Sequence, residues 1–134
     1  MDDISVLIVD DEYDFVNTLL KRLNRKGLDC KGVFSGQSAL EKFRERIFDV
    51  VLLDMKLADK DGNEVLKEIK KMSPDTQVII LSGYASARAG REGLGCGAFD
   101  YLLKPVEFET LIEKINTAFD ERKNPARSGA GKNH

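Results

Sequence analysis

Short, strongly apolar runs alternate with amphipathic helical patterns five times along this chain, and that alternation restricts its fold more than any other feature. The runs at 4–9, 50–53, 78–81 and 98–103 are rich in aliphatic residues and nearly continuous, as strands buried on both faces of a parallel sheet are. A weaker run spans 29–34, with Cys30, Val33 and Phe34. Between the runs, apolar residues recur at helical spacing: Val16, Leu19, Leu20 and Leu23; Leu40, Phe43 and Ile47; Val65, Leu66, Ile69 and Met72; Phe108, Leu111, Ile112, Ile115 and Phe119. Each helix must return over the sheet by the right-handed crossover. The expected fold is therefore α/β: an open, doubly wound, five-stranded parallel sheet of flavodoxin-like (βα)5 topology, with strand order 2-1-3-4-5.

Composition narrows the classes of function. A chain of 134 residues, 42% of them apolar, supports one domain with a real core. The expected domain covers residues 1–121. Residues 122–134 carry no apolar periodicity and are expected to form a disordered C-terminal tail. The net charge of -2 hides no basic half, so no direct nucleic-acid partner is expected. The longest apolar runs are four residues and the start, Met1-Asp2-Asp3, is acidic; neither a membrane partner nor a secretory leader is expected, and the location should be cytoplasmic. Cys30 and Cys96 lack C-x-x-C spacing and read as reduced thiols.

Four of the runs end on polar residues: Asp10 and Asp11, Asp54, Ser82, and Lys104. Side chains just past the carboxyl ends of parallel strands share one crevice, and strand order 2-1-3-4-5 puts the first and third ends side by side. Three carboxylates gathered there repel one another unless a cation is present. Mg2+ suits the set, because it accepts one or two carboxylates together with water and phosphate oxygens. The ammonium of Lys104 is then placed to bridge Asp54 to a phosphoryl oxygen. These are the parts for phosphoryl transfer onto a protein carboxylate. Each residue also has a simpler reading. Asp10, Asp11 and Asp61 are candidate helix caps, Ser82 a turn residue, Lys104 a surface lysine and Tyr101 a core aromatic.

The stretches Val-Leu-Ile-Val-Asp-Asp-Glu at 6–12, Asp-Val-Val-Leu-Leu-Asp-Met at 49–55, Val-Ile-Ile-Leu-Ser-Gly-Tyr at 78–84 and Gly-Ala-Phe-Asp-Tyr-Leu-Leu-Lys-Pro at 97–105 fall in order at these strand ends. Together they resemble the response-regulator receiver domain of bacterial two-component signalling, in its stand-alone form. The resemblance implies that Asp54 is the phosphoacceptor, served by a sensor histidine kinase or phosphotransfer protein. It implies that Asp11, Asp54 and the backbone carbonyl of Lys56 bind Mg2+, with Asp10 assisting through water. Ser82 and Lys104 would contact the phosphoryl group, Tyr101 would be the switch aromatic, and Lys104-Pro105 would be a cis peptide. Output would run through helix four, strand five and helix five to a downstream protein whose identity is unknown. The family usually carries proline where this chain has Ala58, which predicts a less rigid loop and puts metal affinity in question.

A flavodoxin-like electron carrier is disfavoured, because Asp10-Asp11-Glu12 would repel a flavin phosphate. A magnesium-dependent phosphatase would need a substrate-capping element, and a receiver used purely for docking would not need the full acidic set. The chain is therefore expected to be a phosphoacceptor rather than an enzyme acting on other molecules. Lys56 and Tyr84 are expected to crowd the water that would hydrolyse the phosphoryl group, so autodephosphorylation should be slow. Residues 86–97 are expected to form a fourth helix, poor in large apolar side chains, with Gly90 and Gly93 in its interior, each costing about 1 kcal/mol against alanine. Propensity alone predicts that alanine there would strengthen it.

Overall fold

In a computed structural model, residues 3–83 and 86–123 are described. Five parallel strands, β1 (Ser5–Val9), β2 (Asp29–Val33), β3 (Val50–Leu53), β4 (Gln77–Ser82) and β5 (Asp100–Leu103), form one sheet in the order β2-β1-β3-β4-β5. The connecting helices are α1 (Tyr13–Arg25), α2 (Gly36–Glu45), α3 (Gly62–Met72) and α4 (Ala87–Gly95), and α5 (Phe108–Lys123) follows the last strand. This is the expected doubly wound architecture. Helix α5 carries the chain two residues past the expected domain end; the rest of the expected tail lies outside the described residues. No helix among the described residues is long and apolar enough to cross a membrane.

The inner strands β1, β3 and β4 are apolar at successive positions because both of their faces are covered. Leu7, Val9, Val51, Leu53, Val78 and Ile80 pack beneath Ala39, Leu40 and Phe43 of α2 and Val65, Leu66 and Ile69 of α3. Val6, Ile8, Val50, Leu52 and Ile79 point the other way, against Val16, Leu19 and Leu23 of α1 and Leu111, Ile115 and Ala118 of α5. The alternation follows from the period of two along a strand. Ile47 departs from its expected helical face. Helix α2 stops at Glu45, Arg46 turns to extended geometry with φ -157°, and Ile47 is exposed while Phe48 takes the core position.

The caps divide cleanly between the simple readings. Ser35 accepts the Ser38 amide at 3.0 Å and Asp61 accepts the Asn63 amide at 2.9 Å, so these two side chains start α2 and α3. Helix α1 begins after Glu12 without a side-chain cap, which leaves Asp10 and Asp11 uncommitted to capping it. At the opposite end of the sheet, Asp49 accepts the Ser5 amide and hydroxyl at 3.0 and 3.1 Å and pairs with Arg122 at 3.2 Å, tying the end of α5 to β1 and β3.

The fourth helix overturns the expectation from propensity. A Cβ at Gly90 would strike the ring of Tyr101, and one at Gly93 would strike the Ile80 Cδ1. Both glycines are buried where α4 lies against β4 and β5. They are short because the helix sits close, and the backbone cost of glycine is set against that contact. Overpacking costs about 1–3 kcal/mol and exceeds the roughly 1 kcal/mol that alanine returns in propensity. Gly90→Ala should therefore lose about 1 kcal/mol in urea unfolding and shift the Tyr101 ring resonances. Higher stability with an unmoved ring would show that the contact is slack.

Candidate functional site

Strand register brings the polar ends together. Val9 pairs with Leu53, Leu53 with Ile80, and Ser82 with Leu103. The ladder continues one residue further, with the Asp54 N–H donating to Val9 O at 3.0 Å and the Lys104 N–H donating to Ser82 O at 2.7 Å. Asp10, Asp54, Ser82 and Lys104 thus leave four adjacent strands at one edge. Asp11, Glu12, Asp54, Lys56, Gly83, Ser86 and Lys104 line an open depression of about 350 Å³ there. Carboxylate oxygens of Asp10, Asp11 and Asp54 all lie within 4.8 Å of one another.

Lys104 sits among these acids. Its ammonium donates to Asp10 Oδ2 at 2.6 Å and Glu12 Oε1 at 2.9 Å, lies 3.8 Å from Asp54 Oδ2, and rests 4.5 Å from the centroid of the Phe15 ring. The sequence reading paired Lys104 with Asp54; Asp10 and Glu12 hold it more closely. Lys104 precedes a cis bond to Pro105. The Ser82 hydroxyl is fully buried and saturated: it donates to Asp54 Oδ1 at 3.2 Å and accepts the Met55 N–H at 3.2 Å and the Ser86 hydroxyl at 3.1 Å. The Lys56 N–H donates to the same Asp54 oxygen at 3.3 Å. Tyr101 lies away from this cluster on β5, half-buried against α4, with its hydroxyl enclosed and without a hydrogen-bond partner. Tyr84, expected to flank the site, lies outside the described residues.

Burial dominates the electrostatics. It raises the carboxyl of Asp54, against opposition first from the Lys104 charge and then from the Lys56 amide and Ser82 hydroxyl. It raises Asp10 as well, against its hydrogen bond from Lys104. For Lys104, burial acts downward, but the hydrogen bonds to Asp10 and Glu12 outweigh it and the ammonium is raised. Elsewhere, burial pushes the Cys30 thiol up to about 12, so it is an inert core thiol; Cys96 is free and half-buried.

Two contacts were absent from the sequence reading. Glu12 reaches Lys104 because one turn separates it from Asp10 at the opening of α1, and Asp10 Oδ1 accepts its N–H at 2.9 Å. Ser86 reaches Ser82 from the N-cap position just before α4, four positions on. The run Asp10-Asp11-Glu12 held a signal for the first; only the three-dimensional turn after β4 reveals the second.

The order of the five parallel strands and the acidic cluster at their carboxyl edge place the chain in the class of flavodoxin-like domains of the CheY type. The chain belongs to the response regulator receiver domain family, which it matches over residues 6–116. It is 41% identical over 117 residues to the transcriptional regulatory protein ZraR of Escherichia coli K12, an alignment covering 87% of this chain and 26% of that protein. The chain thus spans about a quarter of the length of such curated relatives. Among solved structures it resembles a response regulator receiver domain protein from Clostridium thermocellum (TM-score 0.85, 34% identity, 90% of this chain and 97% of that one). A CheY-like receiver domain protein from Methanospirillum hungatei is similar too (TM-score 0.87, 31% identity, 92% and 99%).

The raised carboxyl of Asp54 has a signed consequence for stability. The folded state binds this proton more tightly than the unfolded chain does, so ionising Asp54 costs stability as pH rises from below 3.8 through the raised folded value. Asp54→Asn should therefore be more stable than the native chain at pH 7, with the advantage vanishing below about pH 3 where both states are protonated. Urea unfolding against pH measures this; a destabilised variant at pH 7 would mean that the lost Lys104 attraction outweighs the desolvation.

Proposed function

We propose that this receiver domain is a phosphorylation-dependent switch in which Asp54 accepts a phosphoryl group from a sensor histidine kinase or a phosphotransfer protein. The observation that carries the reading is the convergence of Asp10, Asp11 and Asp54 within 4.8 Å on an open depression that also receives Lys104. The donor set is all hard oxygen, which fits Mg2+. Asp11, Asp54 and the Lys56 carbonyl would hold the ion directly and Asp10 through water. When bound, Mg2+ offsets the carboxylate charge and the charge on the transferring phosphoryl oxygens.

The chain's own residues supply the rest. An ionised Asp54 oxygen forms the new O–P bond as the N–P bond of a phosphohistidine, protonated on its other ring nitrogen, breaks; the bonding pair stays on the released nitrogen and the imidazole leaves neutral. No general base is needed, since an ionised carboxylate is already a nucleophile. The Lys104 ammonium, held 3.8 Å from Asp54, turns from Asp10 and Glu12 toward the incoming phosphoryl oxygens. The Ser82 hydroxyl moves its hydrogen bond from Asp54 to the bound phosphoryl group. Catalysis here is positioning and charge compensation.

The same step reaches the output face through β4. Ser82 ends β4 and touches Ser86 at the start of α4, so redirecting its hydroxyl alters a contact that seats α4. Tyr101, the switch aromatic, occupies a seat that leaves its buried hydroxyl unsatisfied, a state costing about 1–3 kcal/mol. An outward, hydrated position is correspondingly accessible. Signalling would then pass through α4, β5 and α5 to a downstream protein in the cytoplasm. The relatives' role in transcription belongs to proteins of which the match covers only 26%. Lys56 lines the depression beside Asp54, where its side chain would hinder an attacking water and slow phosphate loss.

Incubation with acetyl phosphate and Mg2+ should add one phosphate by intact-mass spectrometry, with none in EDTA and at least a hundredfold less in Asp54→Asn. Lys104→Ala should bind Mg2+ yet label at least roughly tenfold more slowly, given the weight of electrostatic stabilisation in such steps. Full labelling of Asp54→Asn would refute the assignment.

A further inference from the structure

The loop from Asp54 to Asp61 carries two of the groups assigned to the metal site, Asp54 itself and the Lys56 carbonyl. Its far end is fixed by the Asp61 cap and by the Gly62 N–H donating to Met55 O at 3.0 Å. Its middle has no proline: Ala58 leaves the backbone torsions there unrestricted. A different restraint occupies that stretch. Asp59 Oδ1 accepts the Gly36 N–H at 2.9 Å, and Asp59 Oδ2 accepts the Gln37 N–H at 2.9 Å. These are the opening amides of α2, which have no partner within the helix, and the first turn of α2 has no acid of its own. The Gln37 and Gly36 amides together hold the Asp59 carboxyl below its ordinary range.

Helix α2 is a firm anchor. It is capped by Ser35 and buries Ala39, Leu40 and Phe43 completely or nearly so. The loop also lies directly on it, since a Cβ at Gly36 would come within 2.9 Å of the Lys60 Cβ. A loop tied to such an anchor loses less freedom when a ligand orders it, and binding is correspondingly tighter.

We propose that Asp59 is a positioning residue for the phosphorylation site: by clamping the β3–α3 loop to the start of α2, it holds the Lys56 backbone ready for Mg2+ without touching the ion or the phosphoryl group. The inference rests on the metal reading given above. Because coupling between sites is reciprocal, a clamp that favours the ion must also be tightened by it.

The test uses the full chain without phosphodonor. Mg2+ is titrated by amide chemical shifts at about 0.5 M salt, where the mere loss of a remote charge is screened. Amide exchange at Gly36 and Gln37 is followed with and without the ion. The native chain should bind Mg2+ and show slower exchange at both amides when it is bound. Asp59→Ala should weaken Mg2+ roughly tenfold, as loss of a residue supporting a metal ligand does, and Asp59→Asn, with one acceptor oxygen left, should fall between. In Asp59→Ala exchange at Gly36 and Gln37 should no longer respond to Mg2+, and in Asp59→Asn the response should shrink. Native affinity in Asp59→Ala, or exchange in the native chain indifferent to bound Mg2+, would reduce Asp59 to a helix cap and overturn the proposal. A native chain that binds no Mg2+ would overturn the metal reading itself, and this inference with it.

Discussion

The site is organised around one electrostatic imbalance: the ammonium of Lys104 is surrounded by Asp10, Glu12 and Asp54, with Asp11 beside them. Burial raises the Asp10 and Asp54 carboxyls even with the ammonium present. One ammonium faces four carboxylates there, so the cluster carries surplus negative charge when its acids are ionised. That surplus leaves capacity for further positive charge. Functional clefts commonly carry this kind of unrelieved charge.

The sheet exists in a form that creates the imbalance. Parallel strands in register deliver Asp10, Asp54, Ser82 and Lys104 to one edge, while two apolar layers fix the strands from both sides. From Ser82 the contact chain runs to Ser86 and α4, whose glycines seat it against Ile80 and Tyr101. A helix held by close backbone approach is sensitive to the shape of what lies beneath it. A shift of Ser82 or Tyr101 by a side-chain rotation would alter that fit directly.

Much of this was legible in the sequence because it follows from periodicity. Strand burial on both faces made Val50-Val51-Leu52-Leu53 and Val78-Ile79-Ile80-Leu81 unmistakable, and the topology of five such units then gave the strand order and the convergence of Asp10, Asp11, Asp54, Ser82 and Lys104. Features that depend on distance between elements were not legible. The preference of Lys104 for Asp10 and Glu12 depends on where a long side chain comes to rest. The purpose of Gly90 and Gly93 depends on how near α4 lies to β5, and propensity reasoning assigned the opposite effect to alanine there. The hold of Asp59 on α2 depends on how near the opening amides of that helix come, 2.9 Å from its two oxygens. Ile47 kept helical spacing beyond the residue where its helix ends.

The central claim is that the acidic edge can hold a cation and that gathering its carboxylates costs stability. It is tested most directly by urea unfolding of the native chain across Mg2+ concentrations, with ionic strength held constant by sodium chloride. Binding to the folded state alone adds stability as RT ln(1 + [Mg2+]/Kd). The unfolding free energy should thus be flat at low Mg2+ and then rise by about 1.4 kcal/mol for each tenfold increase beyond the dissociation constant. Unfolding that responds to Mg2+ no more than to sodium at equal ionic strength would contradict the account.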